Sequence, residues 1–483
     1  MPRNNLTTTK AISAPHPEPL RTLTNGSQQL WNPVVTHAFA HSASSFATAL
    51  FQMFEHPEHS SSWILRSDTL YDSLTSPADS DILPITVSLP HFTTVRALVR
   101  RFVSRNPARD PPATQTCLFL SSTSLDCELK ELVLLIPHPG DIPYYLPQTA
   151  GIGFLLSPTS GEHPFSLSLL YALLPTVPLT SRLERTALHL VIRAAKLSSG
   201  HEAGYQQRVF HDLLVPRETF QDAYLRLRAT HASRLVDGWR EKTDPKKHVF
   251  EDCLIAAFLI SLWEEMYPGK KDWMGFVDIG CGNGVLVDIL LREGWSGCGF
   301  DARRRKSWAG FCEETQSALE ERVLVPWVLG GEMEEGVHDG IFKEGTFIVS
   351  NHADELTPWT PLMAVYSNCP WLAIPCCSHD LGGAKQRFPP PKKLDDATGD
   401  CRNVSYSNST YSSLVGYVEG LAKSVGWEVE REILRIPSTR NVGLLGRRRG
   451  AGATVEDVLA REGGGIGWKE RVEQLRSAAD SGH

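Results

Sequence analysis

Between residues 243 and 448 the chain alternates short apolar runs with segments whose apolar residues recur at helical spacing. The runs at 276–279, 297–301, 324–329, 345–350, 371–375 and 428–435 read as strands, and 285–291 and 413–425 as helices, the second stopped by Gly426. Such alternation predicts an α/β domain on a mostly parallel sheet with helices on both faces. Upstream, Thr243-Asp244-Pro245 supplies a cap followed by proline at the first helical position. The helix it opens runs to Tyr267, where Pro268-Gly269 ends it, and its middle is apolar nearly all round, which assigns it to a buried place beside the sheet.

The first half carries a different pattern. Apolar runs at 85–89, 116–120, 132–136 and 152–156 read as strands separated by Pro-Gly turn signals, and 183–196 reads as a helix. These predict a smaller α+β domain ahead of the parallel sheet. Residues 1–30, rich in Thr, Pro, Asn and Ser, read as a disordered arm. The predicted organisation is an arm at 1–30, an α+β region at 31–217, a domain at 218–448 led by a helical connector, and a tail with one short helix at 449–483.

Composition narrows the class. With 483 residues, 41% hydrophobic and 21% charged, the chain is that of a globular protein of about two or three domains. No apolar run is long enough to span a bilayer, so no membrane is expected. Met1-Pro2-Arg3-Asn4-Asn5 begins no apolar segment, which argues against a secretory signal. The 10 cysteines include no C-x-x-C pair, pointing to reduced thiols in a cytoplasmic or nuclear setting. A net charge of −7 excludes a globally basic nucleic-acid binder but not local basic patches. Cys376-Cys377-Ser378-His379, with Cys401 beyond, is the one metal-like cluster. Adjacent cysteines are poorly placed to share a tetrahedral zinc and no second pair completes the set, so no metal is expected.

The chemistry concentrates at strand ends. Phe276-Val277-Asp278-Ile279 runs into Gly280, Gly282 and Gly284, and then into a helix. This is a nucleotide-binding corner, but Val285 stands where a dinucleotide fingerprint needs Gly or Ala. Asp278-x-Gly-x-Gly-x-Gly instead resembles the first motif of S-adenosylmethionine-dependent methyltransferases, whose donor carries an amine and a sulfonium that suit an acid at the turn. Asp301, ending the next strand, is placed to accept both ribose hydroxyls. Asp278, Gly280, Gly282, Asn283, Gly284 and Asp301 are therefore the donor-binding candidates. Four cations follow, Arg303, Arg304, Arg305 and Lys306, at the rim of the same cleft, where they suit a polyanion. Ser350-Asn351-His352-Ala353-Asp354-Glu355 follows the third long strand, where an acceptor meets the donor, although Asp354 and Glu355 also suit a helix start. The loop at 374–383 offers an opposite wall or a plain connection. Arg440 and Asn441 suit phosphate or ribose, or a turn.

Together these segments carry a family resemblance. Lys246-Lys247-His248-Val249-Phe250-Glu251-Asp252, Val277 to Gly284, Gly299-Phe300-Asp301-Ala302-Arg303-Arg304-Arg305-Lys306, Asn351-His352-Ala353-Asp354-Glu355-Leu356-Thr357-Pro358-Trp359, Ile374-Pro375-Cys376-Cys377 and Arg435-Ile436-Pro437-Ser438-Thr439-Arg440-Asn441 resemble the tRNA(Ser) uridine-44 2′-O-methyltransferase family. The first half is also similar, at Ser104-Arg105-Asn106-Pro107, Pro143-Tyr144-Tyr145 and His211-Asp212-Leu213-Leu214-Val215-Pro216. Some family members end in a cysteine-histidine zinc module; this chain has no cysteine after Cys401. The resemblance implies a Rossmann-like methyltransferase domain, S-adenosyl-L-methionine as cofactor, and serine tRNA isoacceptors as partners. It implies methyl transfer to the ribose 2′-hydroxyl of uridine-44.

That reaction needs an in-line hydroxyl, a route for its proton and a fixed ribose-phosphate. Asn351, His352, Asp354, Glu355 and Lys306 are the catalytic candidates, with His352 as base, and Arg303, Arg304, Arg305, Arg440 and Asn441 the substrate-binding ones. Two other readings stay open. The acceptor could be an RNA base or a protein side chain, with Trp359 available to stack a flipped base. The domain could also be a non-catalytic RNA-binding scaffold. The sequence leaves the oligomeric state open.

Overall fold

The computed structural model describes residues 16–24, 26–76, 81–122, 130–140, 142–205, 211–330, 335–389 and 409–480. Two units divide the chain, Met1–Gln206 and Gln207–His483.

In the first unit, β1 (Leu20–Thr24) and β2 (Ser27–Phe39) form a hairpin, α1 (Ala43–Glu55) follows, and then β3 (Ile64–Asp72), β4 (Val87–Ser88), β5 (Phe92–Ser104), β6 (Ala113–Ser122), β7 (Glu131–Pro137), β8 (Gly151–Pro158), β9 (Phe165–Ala172) and α2 (Ser181–Glu202). The strands make one antiparallel sheet in the order β3-β5-β6-β7-β8-β9-β2-β1-β4. Alternate residues face opposite sides. On β7, Val133 and Leu135 join the core under α1 and α2, whereas Leu132, Leu134 and Ile136 join the core on the other face. Both helices carry side-chain caps, Ser42 accepting from the Ser45 amide and Thr180 from the Leu183 amide.

Two expectations fail here. Residues 20–24 and 27–30, assigned to the arm, form β1 and the start of β2; residues 1–15 and 25 of that arm lie outside the described residues. The arm's polar composition misleads because β1 and β2 are amphipathic, with Trp31 buried on one side and polar residues outward. The run at 85–89 yields only the two-residue β4, flanked by Pro84 and Pro90, which cannot donate to a ladder.

The second unit begins with α3 (Arg217–Asp237) and α4 (Pro245–Met266), the latter capped by Asp244. There follow β10 (Phe276–Ile279), α5 (Val285–Arg292), β11 (Gly297–Asp301), α6 (Glu313–Ser317), β12 (Leu319–Glu321), β13 (Val323–Leu324), β14 (Val337–His338), β15 (Phe347–Asn351), α7 (Thr360–Tyr366), β16 (Trp371–Ile374), α8 (Thr410–Ser424), β17 (Trp427–Ile433), β18 (Val442–Arg449), α9 (Val455–Arg461) and α10 (Trp468–Asp480). The main sheet has the order β12-β11-β10-β15-β16-β18-β17. Pairings are parallel from β12 to β16, and β18 alone runs against its neighbours. The strand order reverses between β10 and β15, so their carboxyl ends open a crevice at the switch point.

One apolar core, with α3, α4 and α5, covers one face, and a second, with α7 to α10, covers the other. The all-round apolar middle of α4 is buried as its composition requires, with Trp263 stacked on Phe276 of β10 at 5.6 Å. The run at 324–329 is not one strand. Val323 and Leu324 pair with β14 in a separate ribbon, and after Pro326 the chain turns through Trp327–Leu329. Where a tail with one short helix was expected, residues 455–480 form two helices, α9 and α10. α9 and α10 contribute Val455, Val458, Leu459, Trp468 and Val472 to the core, and the Trp468 indole donates to the Leu324 carbonyl at 2.9 Å. Among the described residues no helix is long and apolar enough to cross a membrane, and the eight described cysteines are unpaired.

Candidate active site

The turn after β10 takes three left-handed residues in alternation, Gly280 (φ +70°), Gly282 (+50°) and Gly284 (+74°). A Cβ on Gly280 would meet Ala353 at 3.3 Å, and one on Gly284 would meet Leu319 at 2.9 Å. The glycines therefore serve close packing as well as backbone freedom. Asn283 Oδ1 accepts from the Val285 amide at 2.8 Å and opens α5. Asp301, at the end of β11, accepts from the Gly282 amide at 3.0 Å and from the Arg303 amide at 3.1 Å. It ties the two strand ends together.

Carboxylates converge on this turn. Asp278 is buried at the end of β10, and one of its oxygens has no hydrogen-bond partner. Burial, and then Asp252 and Asp301, push its carboxyl well above the ordinary range. Asp252, projecting from α4, is pushed up to about 7 by burial and by Glu251, against a hydrogen bond from Asn283. A buried carboxyl oxygen without a partner, beside other acids, suits a cationic group. The amine and sulfonium of S-adenosylmethionine supply positive charge of that kind, so these residues fit that donor.

A cavity of about 270 Å³ lies against the turn, bounded by Gly280, Asp301, Arg303, Arg305, His352 and Glu355 among others. Its far wall is the turn after β15. His352 (φ +51°) and Asp354 (φ +43°) both hold left-handed backbone, a strained state for non-glycine residues. His352 Nε2 lies 3.5 Å from Glu251 Oε1 of α4, while its Nδ1 is buried without a partner. Asn351 Oδ1 is likewise buried and unpartnered. Asp354 accepts from the Cys376 thiol at 3.2 Å. Burial first, then Asp354, pushes that thiol up. Glu355 is held by Arg471 of α10 at 3.2 Å.

The sequence candidates thus separate. Asp278, Gly280, Gly282, Asn283, Gly284, Asp301, Asn351, His352, Asp354 and Glu355 gather around the β10–β15 crevice. Lys306, offered as catalytic, is exposed at the start of a short turn and does not line the cavity; Arg303 and Arg305 do. Arg305 also pairs with Asp301 at 3.4 Å. Arg304 is exposed and stacks over Trp308, whose indole donates to the Gly282 carbonyl. Arg440 lies over the Tyr411 ring at 4.8 Å, and Asn441 closes its own loop through the Leu434 carbonyl. Both belong to the loop between β17 and β18, which the antiparallel register sets at the carboxyl edge beyond Ile374.

Asp354, Cys376 and Cys377 bring their ligand atoms within 4.8 Å of one another. Three ligands fall short of a closed tetrahedral zinc set. His379 is buried but outside that group, and Cys401 lies outside the described residues. Trp359, the aromatic a flipped base would need, is fully buried against Trp468, 5.5 Å between ring centres.

Sequence reasoning missed Glu251, Asp252, Trp468 and Arg471 as parts of the site. Glu251-Asp252 carried a signal, since two acids open the most apolar stretch of a buried helix. Nothing in the local pattern marks Arg471.

Comparison with known proteins agrees with this geometry. Residues 8–208 match the family model described as TRM44-like, N-terminal bet v1-like domain, and residues 214–326 match a predicted AdoMet-dependent methyltransferase family. A Neurospora crassa protein named tRNA (uracil-O(2)-)-methyltransferase is 42% identical over 92% of this chain and 92% of its own. Proteins of that name from Yarrowia lipolytica (36% identity; 94% and 97%) and Schizosaccharomyces pombe (38%; 86% and 85%) are also similar. With a glycine turn and three buried acids at the crevice, and relatives matched over nearly their whole length, the chain belongs to the tRNA (uracil-O(2)-)-methyltransferase family.

Proposed function

We propose that the protein methylates the ribose 2′-hydroxyl of uridine-44 in serine tRNA isoacceptors, in the cytoplasm. The observation that carries the reading is a buried, partnerless Asp278 oxygen at the Gly280–Gly284 turn together with a cavity that Gly280, Asp301 and the Glu251-paired His352 line. The seven-stranded order, with one antiparallel strand and a reversal at β10/β15, supports the Rossmann-like assignment.

S-adenosyl-L-methionine supplies an electrophilic methyl group when bound. Asp278 and Asp252 would hold its positive charge, and Asp301, anchored by the Gly282 and Arg303 amides, would bind its ribose. Glu251, 3.5 Å from Nε2, favours the His352 tautomer that carries its proton on that nitrogen and the lone pair on Nδ1. That lone pair is placed to take the proton of the 2′-hydroxyl that would receive the donor's methyl group. Nδ1 is covered, so docking of the acceptor must shift the 351–355 turn, whose left-handed residues store strain that the shift releases. Arg303 and Arg305 line the cavity and Arg440 stands at the sheet edge, all suited to phosphates.

The test is incubation with labelled donor and total tRNA, followed by mapping. Label in an alkali-resistant dinucleotide containing uridine-44 of serine tRNA is the expected result. Label on a base or on protein, or bound donor without turnover, would overturn it. Burial of Trp359 removes the stacking platform that had favoured a base acceptor.

A further inference from the structure

The turn after β15 and the loop after β16 leave the sheet side by side. The parallel register sets Asn351 against Ile374, and the His352 amide donates to the Ile374 carbonyl at 3.3 Å. Pro375, which has no amide for the ladder, then ends β16. Asp354 stands three residues past Asn351, and Cys376 and Cys377 stand two and three past Ile374.

Successive side chains of an extended strand point to opposite faces, so adjacent cysteines on a strand do not meet. Past Pro375 the chain is no longer strand. There the sulfurs of Cys376 and Cys377 and a carboxylate oxygen of Asp354 all lie within 4.8 Å of one another. Among the described residues this is the one place where three such ligand atoms converge. The Cys376 thiol donates to Asp354 Oδ1 at 3.2 Å, and no basic side chain pairs with that carboxylate among the described residues. Glu355, the next residue, is by contrast held by Arg471.

Tetrahedral bonds of about 2.3 Å to sulfur and about 2.0–2.2 Å to oxygen set ligand atoms about 3.5–3.8 Å apart. The three atoms are near that spacing already, so closing on an ion needs shifts of about 1 Å in side chains that are partly or fully exposed. Two sulfurs with one oxygen suit a thiophilic divalent ion and not magnesium or calcium, which take oxygen ligands. Three protein ligands leave one tetrahedral position for an exchangeable oxygen. Asp354 also lines the cavity beside the glycine turn, which sets that position at the cavity's rim.

We propose that Asp354, Cys376 and Cys377 bind a zinc-type divalent cation whose fourth position stays open beside the cavity. The ion ties the turn after β15, where Asp354 holds left-handed backbone, to the loop after β16. The site does not depend on which acceptor receives the methyl group.

Cobalt(II), titrated into the reduced full-length protein and followed by absorption, tests the proposal. One equivalent should produce the near-ultraviolet band of thiolate-to-cobalt charge transfer, and zinc should bleach it. Cys377 is exposed, so Cys377→Ser keeps the fold; it should weaken cobalt binding at least tenfold and diminish the band. Asp354→Asn should weaken binding at least tenfold while the band persists at saturation, because the carboxylate contributes no sulfur. Cys298→Ser, which removes an exposed thiol of β11 outside the group, should bind as the wild type does. Absence of a saturable thiolate band in the wild type, wild-type affinity in Cys377→Ser or Asp354→Asn, or loss of the band in Cys298→Ser overturns the proposal. Donor titrations and tRNA methylation run in parallel keep the two readings apart. Methyl transfer to uridine-44 without cobalt binding removes the ion alone, and cobalt binding without that transfer removes the acceptor alone.

Discussion

The Glu251 carboxylate faces the His352 imidazole across 3.5 Å, joining a buried helix to the turn after β15. The two residues are 101 positions apart in the chain. A carboxylate beside Nε2 favours the tautomer that leaves Nδ1 free, so in the proposed reaction Glu251 acts through His352. His352→Ala should lower kcat by about 10²–10⁴, the usual contribution of a general base, with donor affinity unchanged. Glu251→Gln should lower kcat less and shift the acidic limb of the pH–rate profile, because the ring loses its charged partner. Single-turnover rates across pH, with donor affinity measured in parallel, check both. Full turnover by His352→Ala would remove it as base.

Asp278 makes a prediction with two signs. Its unpartnered oxygen lies among other acids, so charge there favours the donor and disfavours the empty fold. Asp278→Asn keeps the shape and removes the group that ionises to meet the donor's positive charge. Donor affinity should fall at least tenfold, about 1.4 kcal/mol, while the melting temperature of the ligand-free protein rises. Calorimetry and thermal unfolding without donor check the pair. Loss of both affinity and stability would mean that Asp278 is structural.

The same carboxyls set a pH dependence. Folding raises Asp252 to about 7 and raises Asp278 as well. Between the ordinary carboxylate range and about 7 the folded chain therefore holds protons that the unfolded chain has released, and ligand-free stability falls as pH rises through that window. A cationic donor favours the ionised acids, so its affinity should be higher at pH 8 than at pH 6, with protons released on binding near pH 6.5. Unfolding midpoints from pH 5 to 8, and binding heats in buffers of different ionisation enthalpy, measure this. A ligand-free stability that climbs between pH 5.5 and 7.5 would contradict it.

What the sequence disclosed depended on how local each signal is. The turn from Asp278 to Gly284 is legible because strand, glycines and helix are consecutive and each residue type has one conformational reason to be there. β7 and β8 are legible because central strands buried on both faces read as apolar runs. β2 and β5 are not, since β2 carries Pro33 beside a bulge and β5 alternates Arg and Thr with apolar residues. The role of the last thirty residues is also hidden. Trp468 and Arg471 gain their partners, Leu324 and Glu355, only through tertiary packing more than a hundred residues away.

That packing predicts that the C-terminal helix is part of the enzyme. Trp468 is 1% exposed and its indole holds the Leu324 carbonyl. Trp468→Ala should cost about 3–5 kcal/mol. Arg471→Ala leaves the core intact but frees Glu355 at the cavity wall. Its stability should change little, whereas turnover drops as the 351–355 turn loses an anchor. Denaturant unfolding alongside kinetics separates the two variants, and an Arg471→Ala enzyme of undiminished rate would limit α10 to packing.

The arginines divide by what they already touch, and this orders their effects on tRNA. Arg305 pairs with Asp301 at 3.4 Å, so removing it disturbs the donor pocket as well as any phosphate contact. Arg440 rests on the Tyr411 ring at the carboxyl edge of the sheet, away from that pocket, and its loss should act on RNA alone. Each phosphate contact contributes about one unit to the slope of log affinity against log salt. Arg440→Ala should therefore reduce that slope by about one and weaken tRNA binding at low salt, with donor affinity unmoved. Arg305→Ala should weaken both ligands. Filter binding over a salt series, run beside donor titrations, reads the difference. Wild-type tRNA affinity in Arg440→Ala would remove the loop between β17 and β18 from the RNA path, and the cations along the cavity wall would then have to carry it.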